Sequence, residues 1–187
     1  RLKRRGTRNI LFVGRVAPNK AFEDLIKIFY HYHRYLNSDS RLLLVGTRFL
    51  PRYDGALDAL VERLDLTDAV IFTDRVSLRD LKTYYEAADL FFCASRHEGF
   101  CVPLIESMYF GVPILARAET GVPYTLGSAG FAFHQMDYAV LAETMHLLIE
   151  DQDLRLQVLA AQKRRLADFA SAKIEDLLRA ALQSLGL

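Results

Sequence analysis

Cysteine is scarce in this chain: Cys93 and Cys101 are the only two among 187 residues. That is too few for the disulfide framework of a small secreted domain, so a reducing cytosol is the expected compartment. Long apolar runs are missing as well. No stretch approaches the roughly 18 residues needed to cross a bilayer, and no signal peptide precedes the first strand-like run. Neither charge is in excess, with 24 Lys and Arg against 23 Asp and Glu, and such a balance calls for no polyanionic partner. The basic residues that do cluster (Arg1, Lys3, Arg4, Arg5 and Arg8) sit at one terminus. Residues 1–8 read as a solvated linker from a longer chain, and a surface for anionic lipid headgroups is the second reading. The first residue is Arg rather than Met, so an upstream portion is expected.

Apolar material is plentiful: 51% of the residues are hydrophobic and 25% charged. A domain of this length hides roughly 70% of its unfolded surface, so a core can form without staples. Short apolar runs recur at Ile10–Gly14, Arg41–Gly46, Val70–Thr73, Leu90–Cys93 and Ile114–Ala116, with a weaker sixth at Phe131–Phe133. They show no polar alternation, as expected of strands covered by helices on both faces. Between them lie helical stripes. Phe22, Leu25, Ile26, Phe29 and Leu36 form one, with Asn19 as its expected N-cap. Leu57, Leu60, Val61 and Leu64 form a second, and Leu81, Tyr84 and Tyr85 a third behind Ser77. Pro103 is expected at the first position of a fourth. Asp137–Glu150, Leu154–Phe169 and Ala172–Leu185 read as a helical flank. Alternating strands and helices give parallel strands joined by right-handed crossovers. Residues 9–187 are therefore read as one α/β domain: a doubly wound, Rossmann-like parallel sheet of about six strands, helices on both faces and a helical C-terminal flank.

In open parallel sheets ligands bind outside the carboxyl ends of the strands. Three loops there carry unusual residues. In Gly14-Arg15-Val16-Ala17-Pro18-Asn19-Lys20, the glycine permits close backbone approach, and Arg15 and Lys20 supply two cations beside a helix start, a combination suited to phosphate. The loop lacks the Gly-Lys-Ser/Thr ending of a P-loop. In Ser95–Glu106, Glu98 can take sugar hydroxyls and Glu106, expected in the first helical turn, can accept ribose hydroxyls. The amides of Gly99, Phe100 and Cys101 between them can face an oxygen-rich ligand. The third loop, Arg117–Leu126, holds Thr120-Gly121-Val122-Pro123 and reads as a tight turn.

Together these loops resemble the nucleotide-binding half of retaining GT-B glycosyltransferases, the large glycosyltransferase family 4, also called group 1. The matching residues are Val13-Gly14-Arg15 with Pro18 and Lys20, Glu98-Gly99-Phe100 with Pro103 and Glu106, Ser107-Met108, and Gly111-Val112-Pro113-Ile114. The resemblance runs from about Ile10 to Glu150. It implies that Arg15 and Lys20 contact the donor diphosphate and stabilise the departing charge, and that Glu98 holds the donor sugar. It also implies that Glu106 binds the ribose and that the Arg75-Val76 turn holds the base. The implied donor is a UDP-, GDP- or ADP-sugar, with no cofactor and no metal, since cationic side chains and a helix end neutralise the diphosphate. A second Rossmann-like domain, ahead of this one, would hold the acceptor, so this chain alone is expected to bind donor and to transfer poorly or not at all. The full enzyme would be cytoplasmic, with peripheral contact at the inner face of the membrane.

Two positions depart from the family pattern: Ala21 follows the loop lysine where glycine is common, and Tyr124 follows Pro123 where glutamate is common. Two rival readings stay open, a sugar-nucleotide epimerase of the same fold and a non-catalytic sugar-nucleotide-binding module. Other residues carry plainer expectations. His31 and His33 are two apart on a helix and cannot share a metal. His97, beside Glu98, reads as a structural residue first, with a proton donor or a sugar contact as the second reading. Cys93 is expected to pack, and Tyr30, Tyr32 and Tyr35 to cover core rather than stack on nucleic acid.

Overall fold

A computed structural model describes residues 6–171 and 173–175 of the chain. Six strands form one parallel sheet: β1 (Arg8–Val13), β2 (Ser40–Val45), β3 (Val70–Asp74), β4 (Leu90–Cys93), β5 (Ile114–Arg117) and β6 (Phe131–Phe133). Their order across the sheet is β3-β2-β1-β4-β5-β6. The chain steps outward twice from β1, then returns past it to β4 and proceeds the other way. Right-handed crossovers therefore put α1 (Phe22–Tyr35) and α2 (Pro51–Arg63) on one face. They put α3 (Leu78–Ala87), α4 (Val102–Phe110) and the short α5 (Val122–Leu126) on the other. After β6, α6 (Tyr138–Glu150) packs on α1 and β4, and α7 (Gln152–Leu166) packs on α4. This is the doubly wound architecture expected from the alternation of runs and stripes.

Double coverage explains the composition of the strands. Ile10, Leu11 and Phe12 of β1 and all four residues of β4 are buried, so both sides of these strands are apolar. Phe12 meets Phe22 at the start of α1 edge-on, ring centroids 5.1 Å apart, and stacks at 6.2 Å on Phe91 of β4. These aromatics form the floor under the loops that leave β1 and β4. At the opposite end of β1, Arg8 is not part of a loose basic terminus. It opens the strand, and its guanidinium donates two 2.8 Å hydrogen bonds to Glu150 at the end of α6. Buried Asn9 beside it donates its amide to Asp89 and its side chain to the Ala87 carbonyl.

Three local expectations are corrected. Asn19 does not cap α1. Pro18–Lys20 closes its own 3-10 turn, and Ala21, at φ 53°, swings the chain into a helix that begins at Phe22. Pro18 presets the φ of that separate turn, so the helix starts two residues later than an Asn19 cap implies. Pro103 is the second residue of α4 rather than the first, and Glu106 consequently lies in the second turn. The Gly121-Val122-Pro123 segment is not a bare turn but leads into α5. Ser77 does cap α3, accepting from the Asp80 amide, and Asp137 caps α6. The helix expected at Ala172–Leu185 lies outside the described residues, apart from residues 173–175.

Candidate functional site

β1 and β4 are neighbours in the sheet, yet their following connections run in opposite directions. The loops at their carboxyl ends therefore part and leave a crevice, the topological switch point at which such sheets bind ligands. The β1 loop is anchored on the β2 side. The amides of Gly14 and Val16 donate to the carbonyls of Val45 and Thr47 at 2.9 and 3.0 Å. A Cβ at Gly46 would lie 2.0 Å from the Gly14 carbonyl oxygen, so the two backbones touch only because Gly46 has no side chain. A Cβ at Gly14 itself would meet the Phe12 ring at 3.1 Å. Arg15 is exposed and its guanidinium lies 5.9 Å from the ring centroid of Phe49.

The β1 and β4 loops are joined directly. Lys20 Nζ lies 2.7 Å from Glu98 Oε2, with the side chains only 20% and 11% exposed. The Arg96 amide donates to the Asn19 carbonyl at 2.8 Å, and the Asn19 side chain donates to the His97 carbonyl. The Arg96 guanidinium contacts Glu23 at 2.7 Å and Asp24 at 3.1 Å on α1. Those carboxylates also accept from the hydroxyls of Tyr53 and Tyr138. Burial and the bond to Glu23 push the Tyr53 phenol up, so it stays a donor.

On the far side the β5 loop grips the same segment. The Glu98 amide donates to Thr120 Oγ1, and the Thr120 hydroxyl donates back to the Glu98 carbonyl, both at 2.8 Å. The Gly121 amide donates to that carbonyl as well, and the Thr125 hydroxyl donates to the Phe100 carbonyl. The main chain at Glu98 is thus held from two sides while its carboxylate faces Lys20. By contrast, the amides of Gly99, Phe100 and Cys101 meet no acceptor among the described residues. A Cβ at Gly99 would touch nothing within 4 Å. Cys101 then turns the chain into α4 at φ 62°, a conformation that a side chain disfavours.

Glu106 is half-buried and accepts a 2.6 Å hydrogen bond from the phenol of Tyr85 on α3. Burial, reinforced by that bond, pushes the Tyr85 phenol up and fixes it as the donor. Tyr85→Phe should lower the unfolding free energy by about 1.5–3 kcal/mol, the usual worth of a hydrogen bond to a charged group. An unchanged urea midpoint would show that the phenol does not hold the carboxylate. Cys93 and Cys101 bring their sulfurs within 4.8 Å of one another beside Glu98, and Cys93 Sγ donates to the Ser95 hydroxyl at 3.4 Å. The neighbouring thiol and the Ser95 contact draw the Cys93 thiol down, and the neighbouring thiol together with burial pushes Cys101 up.

The structure therefore brings together Lys20, Glu98, Gly99, Phe100 and Cys101. Arg15, Gly14 and Glu106 stand in the loops and the helix leading from the same rim, but no ion pair joins Arg15 or Glu106 to the Lys20–Glu98 pair among the described residues. Val76 lies in the β3 loop at that rim, half-buried between Asp74 and the Ser77 cap. His97 is exposed and is engaged through its carbonyl. Sequence reasoning missed Arg96, Tyr85, Thr120 and the clamping role of Gly121. Only the Thr-Gly pair stood out locally, and its partner was not legible.

The chain is 30% identical over 186 residues to the D-inositol 3-phosphate glycosyltransferase of Streptomyces coelicolor, covering 93% of this chain and 40% of that protein. It superposes on HepE of Anabaena, solved with UDP and glucose, with a TM-score of 0.83 at 23% identity, over 96% of this chain and 49% of that one. The C-terminal domain of the group 1 protein LpcC of Francisella tularensis superposes with a TM-score of 0.76 at 20% identity, over 87% and 85%. The chain spans about half or less of the two full-length proteins. The family model for glycosyl transferases group 1 matches residues 1–165, and this chain belongs to that family.

Proposed function

We propose that this chain is the C-terminal, donor-binding half of a retaining GT-B glycosyltransferase of family 4. The whole enzyme would move a sugar from a nucleoside-diphosphate sugar to an acceptor hydroxyl. The observation that carries this reading is the Lys20–Glu98 pair at the switch point, flanked by the amides of Gly99, Phe100 and Cys101. A cation and a row of amides suit a diphosphate, and a carboxylate beside them suits sugar hydroxyls. HepE, solved with UDP and glucose, supports a donor of this chemical class.

In this reading Lys20 and Arg15 bind the diphosphate and stabilise the charge that develops as the anomeric C–O bond breaks, which makes a metal unnecessary for leaving-group departure. Glu98 orients the sugar, Glu106 accepts from the ribose, and the main chain at Val76 faces the base. Gly14 keeps the β1 loop low enough for the diphosphate to approach. The domain opens at Arg8, where β1 begins, and the residues before it link it to an acceptor-binding domain. No helix among the described residues is long and apolar enough to cross a membrane. The basic terminus suits a cytoplasmic enzyme working at the inner membrane face.

The test is calorimetric titration of the chain with UDP-, GDP- and ADP-sugars. One nucleotide class should bind with Kd below about 1 mM, and no measurable binding by any of them would overturn the reading. Turnover by the full-length protein separates the rivals. Acceptor-dependent release of nucleoside diphosphate marks transfer, interconversion of free sugar nucleotides marks an epimerase, and binding without either marks a module.

A further inference from the structure

We infer that Cys93, Glu98 and Cys101 form a binding site for a thiophilic divalent cation such as Zn2+, occupied in competition with the Lys20–Glu98 ion pair. One ligand atom from each of the three residues lies within 4.8 Å of the other two. A tetrahedral ion with metal–sulfur bonds of about 2.3 Å and a metal–oxygen bond of about 2.1 Å holds its ligands about 3.5–3.8 Å apart. Closing to that spacing takes movements of about an ångström. Two sulfurs and one carboxylate select a borderline-soft ion over Mg2+ or Ca2+.

The three residues come from rigid parts of the fold. Cys93 is the fully buried last residue of β4, Cys101 is the nearly buried cap of α4, and Glu98 is fixed at its main chain by Thr120 and Gly121. Cys101 keeps a side chain at φ 62°, where glycine would be easier, and that local strain places the second sulfur opposite the first.

The charges balance. The ion brings two positive charges, each thiol loses its proton to solvent, and the total at the site is unchanged. What changes is partnership: Glu98 exchanges Lys20 for the ion. In the apo chain Lys20 Nζ stands 2.7 Å from that carboxylate and is the ion's competitor. A further consequence rests on the donor reading above. With Glu98 withdrawn and Lys20 released, the sugar nucleotide loses its sugar contact while a bare nucleoside diphosphate keeps its cation.

The probe is Cd2+ alone, added to the reduced full chain and followed by the thiolate-to-cadmium charge-transfer band. One ion should bind per chain. Cys101→Ser, at the cap rather than deep in the sheet, should raise its Kd by about 100-fold or more, and Glu98→Gln by about 10-fold. Lys20→Ala should tighten Cd2+ binding, because it removes the competitor, and a purely incidental surface site would not respond in that direction. Circular dichroism of each variant checks that it folds. Absence of the band, an undiminished band in Cys101→Ser, or weaker binding in Lys20→Ala would each overturn the site. No nucleotide enters these titrations, so their failure is distinct from failure of the donor reading. With Cd2+ bound, affinity for the sugar nucleotide should fall and that for the bare diphosphate should hold.

Discussion

Lys20→Ala should weaken binding of a nucleoside-diphosphate sugar by about 10- to 150-fold, equivalent to about 1.5–3 kcal/mol for loss of a charge-assisted contact. The side chain is mostly shielded from solvent and already meets Glu98 at 2.7 Å. Its ammonium therefore needs little ordering when a diphosphate arrives. Removing it also strips Glu98 of its partner, so part of the loss belongs to the carboxylate left behind. The double variant Lys20→Ala/Glu98→Gln separates the two contributions through a double-mutant cycle. Arg15→Ala should cost less, because that guanidinium is exposed and free to rearrange. Calorimetry with the preferred nucleotide decides the matter: an unchanged Kd in Lys20→Ala removes this residue from the site.

Gly121→Ala should destabilise the domain by about 2–4 kcal/mol and abolish or sharply weaken donor binding. The added Cβ would sit 1.9 Å from the Gly99 carbonyl oxygen and 2.8 Å from that of Glu98. Both are backbone atoms and cannot swing aside as a flexible side chain could. Either α5 retreats or the Glu98 segment moves, and each breaks the hydrogen bonds of Thr120 and Gly121. Gly99→Ala is the contrasting variant, since its Cβ meets nothing within 4 Å. It should unfold within about 0.5 kcal/mol of the parent while lowering donor affinity, because the added methyl faces the crevice. A Gly121→Ala protein with parental urea midpoint and nucleotide affinity would show that the clamp is dispensable.

The contrast between these glycines shows what the sequence reveals of the site. Apolar runs without alternation disclosed all six strands; in β1, β2, β4 and β5 they trace burial on both faces, whereas the edge strands β3 and β6 stay only partly covered yet keep an apolar run. Lys20 and Glu98 were legible because each sits in a loop at the carboxyl end of a strand, where charge is conspicuous. Their mutual pairing was not, because 78 positions separate them and only the β1–β4 adjacency closes that gap. The Glu106–Tyr85 bond is hidden for the same reason: Tyr85 reads as one more member of an apolar stripe until α3 is laid against α4. Asn19 was misread because a residue with good capping chemistry can spend its amide on a neighbouring loop instead. Gly14 looked like the residue of close approach, yet the tight backbone contact belongs to Gly46, whose need for smallness depends on what lies across from it.

At both sides of the crevice, carbonyl groups abut glycines with no room for even a methyl, at Gly46 against Gly14 and at Gly121 against Gly99. Such a rim is already set before any guest arrives, so little conformational entropy is lost on binding. A scaffold of this kind changes its preferred guest by exchanging side chains along the opening rather than by reshaping the walls. Donor choice can then drift over evolution while the masonry beneath stays the same.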